Sequence, residues 1–196
     1  MARITDDSKI EKIKEAIIKL VVSEGYGGAS VSKIAKLAGV AEGYLYRYYS
    51  SKNELITSLL HTCMTTLMDE IEALLEEGQS MCRIVEETVK ILFKLASEDT
   101  PRMKFTYVLL NDYNFSLDAE MRNRIIDICT RIHSRGEAEG VLRISTQPED
   151  IYIMAVSYPI QFINHRLKGS FGTTELNVAL RDKVTQTCIT ALTTNK

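Results

Sequence analysis

Apolar residues recur every three or four positions along nearly the whole chain, and no run of alternating β-branched residues bounded by turns interrupts them. That period makes an all-α fold the economical expectation. Ser8 and Glu11 have capping-box spacing, and Ile10, Ile13, Ile17 and Leu20 or Val21 share one face of a first helix ended by Gly25. A short second helix is predicted from Val31 to Ala38 with Ser30 as N-cap, broken at Gly39-Val40, and a third from Glu42 to Tyr48. Ser51 and Glu54 again have capping spacing. They lead a long fourth helix through Leu55, Leu59, Cys63, Leu67, Ile71 and Leu74 that ends near Gly78. Ile84, Thr88, Ile91 and Leu95 outline a fifth helix, and Thr100-Pro101 opens a sixth. Met121, Ile125, Ile128 and Ile132 mark a seventh that stops by Gly140, with Gly136 weakening its last turns. Gln147-Pro148 opens an eighth carrying Ile151, Met154, Ala155, Tyr158 and Phe162, which Pro159 should kink. Thr174 opens a ninth with Leu180, Val184, Cys188 and Leu192.

The 196 residues suffice for one well-buried core or for a small module joined to a larger one. With 45% hydrophobic and 26% charged residues, only 3 prolines and 10 glycines, the composition is that of an ordinary soluble globular protein. No stretch approaches the roughly 18 apolar residues of a membrane span, and the amino terminus MARITDDSKI lacks a secretion signal's apolar core, so a cytoplasmic protein with no membrane partner is expected. Cys63, Cys82, Cys129 and Cys188 are too widely spaced for zinc or thioredoxin-like chemistry and read as reduced, packed thiols. His61, His133 and His165 lie far apart. There is no nucleophile elbow, phosphate loop or HExxH pair, so neither an enzyme nor a bound metal or cofactor is expected. The formal charge of -2 hides a small asymmetry: nine basic against seven acidic residues through Leu55, fifteen against nineteen beyond it.

Residues Ser30 to Leu55 read SVSKIAKLAGVAEGYLYRYYSSKNEL, two short helices around a tight turn followed by a capped third. That is a helix-turn-helix arrangement. Ala35 is small where the helices cross, Gly39 sits at the turn, and Val40 and Leu45 fill the space between, although the same residues would also serve a plain helical corner. Four of the 9 tyrosines, Tyr44, Tyr46, Tyr48 and Tyr49, fall within six residues, more than one buried face can take. Exposed tyrosine hydroxyls beside Arg47 suit phosphate oxygens, and their rings suit sugars or thymine methyls. Tyr49, and Tyr46 in part, would alternatively cap the core. Lys52 stands in the first turn of the capped helix, where the macrodipole disfavours a cation and an added phosphate would reverse the sign.

Ser30-Val31 through Ile34-Ala35, Ala38-Gly39-Val40, Gly43, Leu45-Tyr46, Tyr49 and Lys52 to Leu55, with the glycine-rich entry EGYGGAS, resemble the amino-terminal signature of tetracycline-repressor-type transcriptional regulators. The resemblance covers about the first 55 residues; the remainder agrees in length and in its count of about nine helices. It implies a DNA-binding head over residues 1–50 and a helical ligand-binding and dimerisation domain over 51–196, joined by a long helix from about 51 to 77. Carried over by position, Ser30 and Ser32, with Lys33 nearby, would meet phosphate or a base edge. Glu42, Gly43 and Tyr44 would face bases, while Tyr46, Arg47, Tyr48 and Lys52 would hold the DNA backbone. Tyr48 replaces a common histidine, and Glu42 stands where lysine is frequent; an acid there can accept from cytosine N4.

One head offers few phosphate contacts, so a twofold dimer on a palindromic double-stranded DNA operator is expected. The resemblance places its interface in the last two helices, Pro148 to Leu167 and Thr174 to Leu192; closure of the monomer core is the other use for their apolar faces. An unidentified small-molecule effector is expected near Tyr107, Asn111, Tyr113, Phe115, Tyr158 and Phe162, which combine aromatic walls with polar groups. The most economical function is a repressor released from its operator by that ligand. A DNA-bound adaptor governed by a protein partner is the competing one.

Overall fold

The computed structural model describes residues 2–194, with side chains from residue 7 onward. The helices are α1 (Ala2–Gly28), α2 (Val31–Ala38), α3 (Glu42–Tyr46), α4 (Lys52–Glu76), α5 (Met81–Glu98), α6 (Thr100–Leu110), α7 (Ala119–Ala138), α8 (Pro148–Tyr152), α9 (Tyr158–Leu167) and α10 (Val178–Leu192). A π-helical turn, Ile153–Ser157, makes α8 and α9 one continuous rod, so the described residues form nine helical rods, as the sequence led us to expect. Among them the only sheet-like pairing is an isolated antiparallel bridge between Leu142 and Thr193. No helix of the described residues is long and apolar enough to cross a membrane.

Two compact units emerge, and they interleave along the chain. The first contains residues up to Cys63 together with Pro101–Asp118; the second contains Met64–Thr100 and the residues from Ala119 onward. The unit boundaries thus differ from a division at 50/51. The physical reason is Tyr26, which joins the two parts of the first unit: its amide donates to Asp112 Oδ2 (3.1 Å) and its ring lies edge-on to Phe115 at 5.3 Å. Ile17, Ile34, Leu45, Leu55, Ile56, Leu60, Phe105 and Leu109 are fully buried in this unit.

In the second unit, Met81, Ile84, Val85, Thr88, Val89, Leu92, Phe93 and Ala96 form a buried stripe on α5. It is wider than, and rotated from, the predicted stripe, whose Ile91 and Leu95 are only half buried. α10 packs on α5 through Val184, Cys188 and Leu192, at the spacing read from the sequence. Arg124 on α7 ties to α4, donating from Nη2 to Glu72 Oε2 (2.7 Å) and to Asp69. None of the four cysteines is in a disulfide, and burial pushes Cys129 up to about 11 and Cys188 up to about 12.

Several local expectations need correction. α1 begins upstream of Ser8, so Ser8 is not its cap; Ile10 is 42% exposed; and Gly25, at φ 72°, kinks the helix but the helical run resumes to Gly28. The Thr100 hydroxyl donates back to the Ala96 carbonyl (2.7 Å) instead of capping α6. α10 starts at Val178, because Asn177 Oδ1 accepts the Leu180 amide (3.0 Å) and is the true cap. Gly136 does not interrupt α7, which runs on to Ala138. It is buried, and a Cβ there would stand 2.5 Å from Met81 Sδ and 2.7 Å from Leu142 Cγ, so glycine permits the contact. The backbone disturbance anticipated at Pro159 takes the form of the π turn just before it, in which the Tyr158 amide donates to the Ile153 carbonyl.

Candidate nucleic-acid interface

α2 opens where the Ser30 hydroxyl oxygen accepts the Lys33 amide (3.2 Å), leaving the hydroxyl proton free to be donated. It closes at Gly39, whose φ of 69° is the left-handed conformation that lets the amides of Gly39 and Val40 donate to Lys36 (3.3 Å) and Ala35 (3.0 Å). No atom would obstruct a side chain at Gly39, so conformation alone demands the glycine. The tight corner sets α3 against α2. Within α3 Leu45 is the buried anchor at 1% exposure, which turns its neighbours outward.

Tyr46 is 54% exposed, Tyr48 is 52% exposed, and Arg47 and Glu42 are exposed as well. Tyr44 is half buried, with its ring edge-on to Tyr48 at 5.4 Å and the Lys9 ammonium 5.4 Å from its centroid. The structure thus brings α1 to the edge of the tyrosine cluster, a contribution the sequence reading missed. Gly43 is exposed and faces open space where a Cβ would stand. Tyr49 is half buried beside Leu45 and Leu55 in a hollow of about 230 Å³ among α1, α3 and α4.

The basic residues behave unequally. Ser32 and Lys36 are exposed at α2, whereas Lys33 Nζ is paired with Glu24 Oε2 (2.5 Å) and donates to the Gly28 carbonyl (3.1 Å). Lys52 is half buried: its Nζ lies 4.0 Å over the Tyr26 ring and donates to the Tyr26 carbonyl (3.0 Å). The macrodipole penalty that suggested a phosphate therefore has an answer within the chain. Tyr26 itself is buried, its hydroxyl donating to Asn53 Oδ1 (3.1 Å), and burial followed by the Asp112 charge raises its pKa. Its place among the glycines of EGYGGAS was the available signal.

The cap of α4 is spread over two serines. Ser51 Oγ accepts the Glu54 amide (3.1 Å), but the Glu54 carboxylate accepts from the Ser50 hydroxyl (2.6 Å) and amide (2.7 Å), bonds that hold it below the usual carboxylate range.

The residues singled out for an effector divide between the units. In the first, Tyr113 is fully exposed, Asn111 Nδ2 donates to the Tyr107 carbonyl (2.8 Å), and Phe115 is buried against Tyr26. In the second, Phe162 stands between Phe93 (6.4 Å) and Tyr158 (6.5 Å) in an aromatic row.

Residues 13–59 match the model described as bacterial regulatory proteins, tetR family. The HTH-type regulator YvdT of Bacillus subtilis is 36% identical over 78 residues, 40% of each chain, and the fatty acid metabolism regulator protein of the same organism is 28% identical over 61% of this chain and 60% of its own. The chain therefore spans between two and three fifths of these first relatives. Nucleoid occlusion factor SlmA of Marinobacter nauticus is 22% identical over 89% of this chain and 90% of its own. Among solved structures, a TetR family transcription regulator from Marinobacter aquaeolei superposes with a TM-score of 0.77 at 20% identity, covering 98% of this chain and all of that one. The fatty acid regulator FadR of Bacillus subtilis, solved in complex with stearoyl-CoA, does so at 0.69 and 21%, covering 93% and 99%. The helix-turn-helix corner lies within the stretch that matches the tetR-family model of bacterial regulatory proteins, and the nine-rod fold is that of solved regulators of the same name.

Proposed function

We propose that the chain is a sequence-specific DNA-binding transcriptional regulator, a homodimeric repressor that a small-molecule ligand releases from a palindromic operator. The observation that carries the DNA-binding part is α3: one buried leucine, Leu45, anchors a five-residue helix that leaves Tyr46, Arg47 and Tyr48 exposed together. Glu42, Gly43 and Tyr44 read base edges, and Ser30, Ser32, Lys33, Tyr46, Arg47, Tyr48 and Lys52 hold the sugar-phosphate backbone. Lys33 and Lys52 exchange their present acceptors for phosphate on binding. The head is residues 1–50, and the last two rods, α8 with α9 and then α10, meet their copies in the dimer.

Ligand control is supported by likeness to a regulator whose structure contains stearoyl-CoA, and by the aromatic row through Tyr158 and Phe162. Selection of bound sequences from random duplex DNA, followed by competition at several salt concentrations, tests the core of the reading. Enrichment of a palindrome, with a slope of roughly -0.9 per neutralised phosphate, is the expected result; binding indifferent to sequence would overturn it. The adaptor reading is favoured by one specific observation, the likeness to nucleoid occlusion factors along nine tenths of the chain. An operator complex that no small molecule releases, but that retains a protein partner, is its expected signature.

A further inference from the structure

Within the second unit, α5 and the segment entering α10 enclose a groove of about 340 Å³, lined by Lys90, Phe93, Lys94, Leu176, Val178 and Arg181, among others. A volume of that size falls within the range of about 300–1,000 Å³ common to small-molecule sites. Phe93, Leu176 and Val178 make the floor apolar. Three cations stand on the rim, and no lining residue is a carboxylate.

Lys90 and Lys94 are four residues apart, hence on one face of α5, and Arg181 arrives from α10. Like charges gathered around a low-dielectric floor repel one another, and an anion placed among them removes that cost. Lys90 and Arg181 find partial relief away from the groove, at Glu87 (3.2 Å) and Asp182 (2.8 Å); Lys94 makes no ion pair among the described residues. Of the apolar lining, Phe93 belongs to the buried stripe of α5, but Val178 is not taken up by the core. Val178 is 61% exposed in the first turn of α10, a position where helices favour acids and no acid is present.

Position separates this groove from the proposed dimer face. Arg181 shares the inward side of α10 with Val184 and Cys188, whereas Ala179, Asp182, Lys183 and Gln186 are exposed on the remainder. Phe93 connects the groove to the aromatic row, since its ring stacks on Phe162.

We propose that this groove binds an amphipathic anion, an alkyl or acyl chain bearing a phosphate or carboxylate head. The head sits among Lys90, Lys94 and Arg181, and the chain lies over Phe93, Leu176 and Val178. This deepens the ligand-controlled reading and rests on it only for the consequence at DNA, because binding itself is measured without an operator.

Titration calorimetry of the full chain with dodecyl phosphate, dodecanol and inorganic phosphate tests it. Dodecyl phosphate is expected to bind at least about tenfold more tightly than either of the others, and less tightly as salt is raised. The double variant Lys90→Glu, Lys94→Glu should lose that advantage. So should Val178→Asp, which puts an acid where the helix tolerates it best and so remains folded, as circular dichroism will verify. Equal binding of dodecanol, equal binding of phosphate alone, or unchanged affinity in both variants overturns the proposal. Dodecanoate in place of dodecyl phosphate tells which head is preferred, and either preference supports the site. Adding the ligand to the operator complex separates the two readings. Binding in the groove without release of DNA keeps the site and sinks ligand control, whereas release by a compound that ignores the groove variants keeps ligand control and sinks the site.

Discussion

Tyr48 and Lys52 lie four residues apart yet differ in how far the folded chain already uses them. Tyr48 is half exposed with its ring edge-on to Tyr44, whereas Lys52 is held at Tyr26 by a hydrogen bond and a cation-π contact. Tyr48→Phe should therefore weaken binding to the selected operator by about three- to tenfold, the worth of one hydrogen bond to phosphate, without moving the thermal midpoint. Lys52→Met should weaken DNA binding and also cost about 0.5–1 kcal/mol of stability from the lost cation-π contact; chemical denaturation beside a DNA titration distinguishes the two substitutions. Asp112 belongs to the same knot. The Asn114 amide foremost, then the Asn114 side chain, the Tyr26 amide and Lys52, hold its carboxyl below the usual range. A carboxyl whose folded pKa is depressed contributes stability that is present above its unfolded value and is lost as pH falls through the folded one. Asp112→Ala should accordingly flatten the acid limb of the stability profile between those two values, as denaturant midpoints measured from pH 6 downward would show.

At the scale of elements, the periodicity of Ile13, Ile17, Val184, Cys188 and Leu192 made the helices legible, because burial on one face is a local signal with a fixed spacing. The corner from Ser30 through Gly39 was legible for a similar reason: cap and left-handed glycine each answer a need of their own backbone. Partners distant in sequence were not. Nothing near Lys52 announces Tyr26 as its acceptor, nothing near Tyr44 announces Lys9, and the Glu54 carboxylate accepts from Ser50, four residues back, and not from Ser51 at capping-box spacing. Gly136 shows how local reasoning can reverse a sign. Propensity alone says that alanine at this position of α7 should stabilise the helix by up to about 1 kcal/mol. The structure puts Met81 and Leu142 where its methyl would go. Overpacking of this kind costs about 1–3 kcal/mol, so Gly136→Ala should lower the denaturant midpoint. A raised midpoint would mean that α5 and the segment after α7 yield more readily than their packing implies.

For the whole molecule, the number of heads decides whether the tyrosine cluster can regulate anything. A single α3 presents a few hydrogen-bonding groups and one arginine, and non-specific binding of that order, roughly 10⁻⁴ to 10⁻⁶ M at physiological salt, cannot distinguish an operator within a genome. Two heads related by a twofold axis multiply the contacts and require half-sites about 34–36 Å apart or a multiple of that distance. Symmetry then makes a prediction that does not depend on the operator sequence. Light scattering at micromolar concentration should give twice the 22.1 kDa of one chain, and reversing one half-site of the selected palindrome should cost far more affinity than changing the spacer composition. Inserting about five base pairs between the half-sites turns the second site to the opposite face of the duplex and should abolish tight binding, while inserting about ten restores the facing and recovers part of it. A monomeric mass, or affinity indifferent to the five-base-pair insertion, would mean that one head reads DNA alone, and the rod of α8 and α9 together with α10 would then serve only to close the core of their own chain.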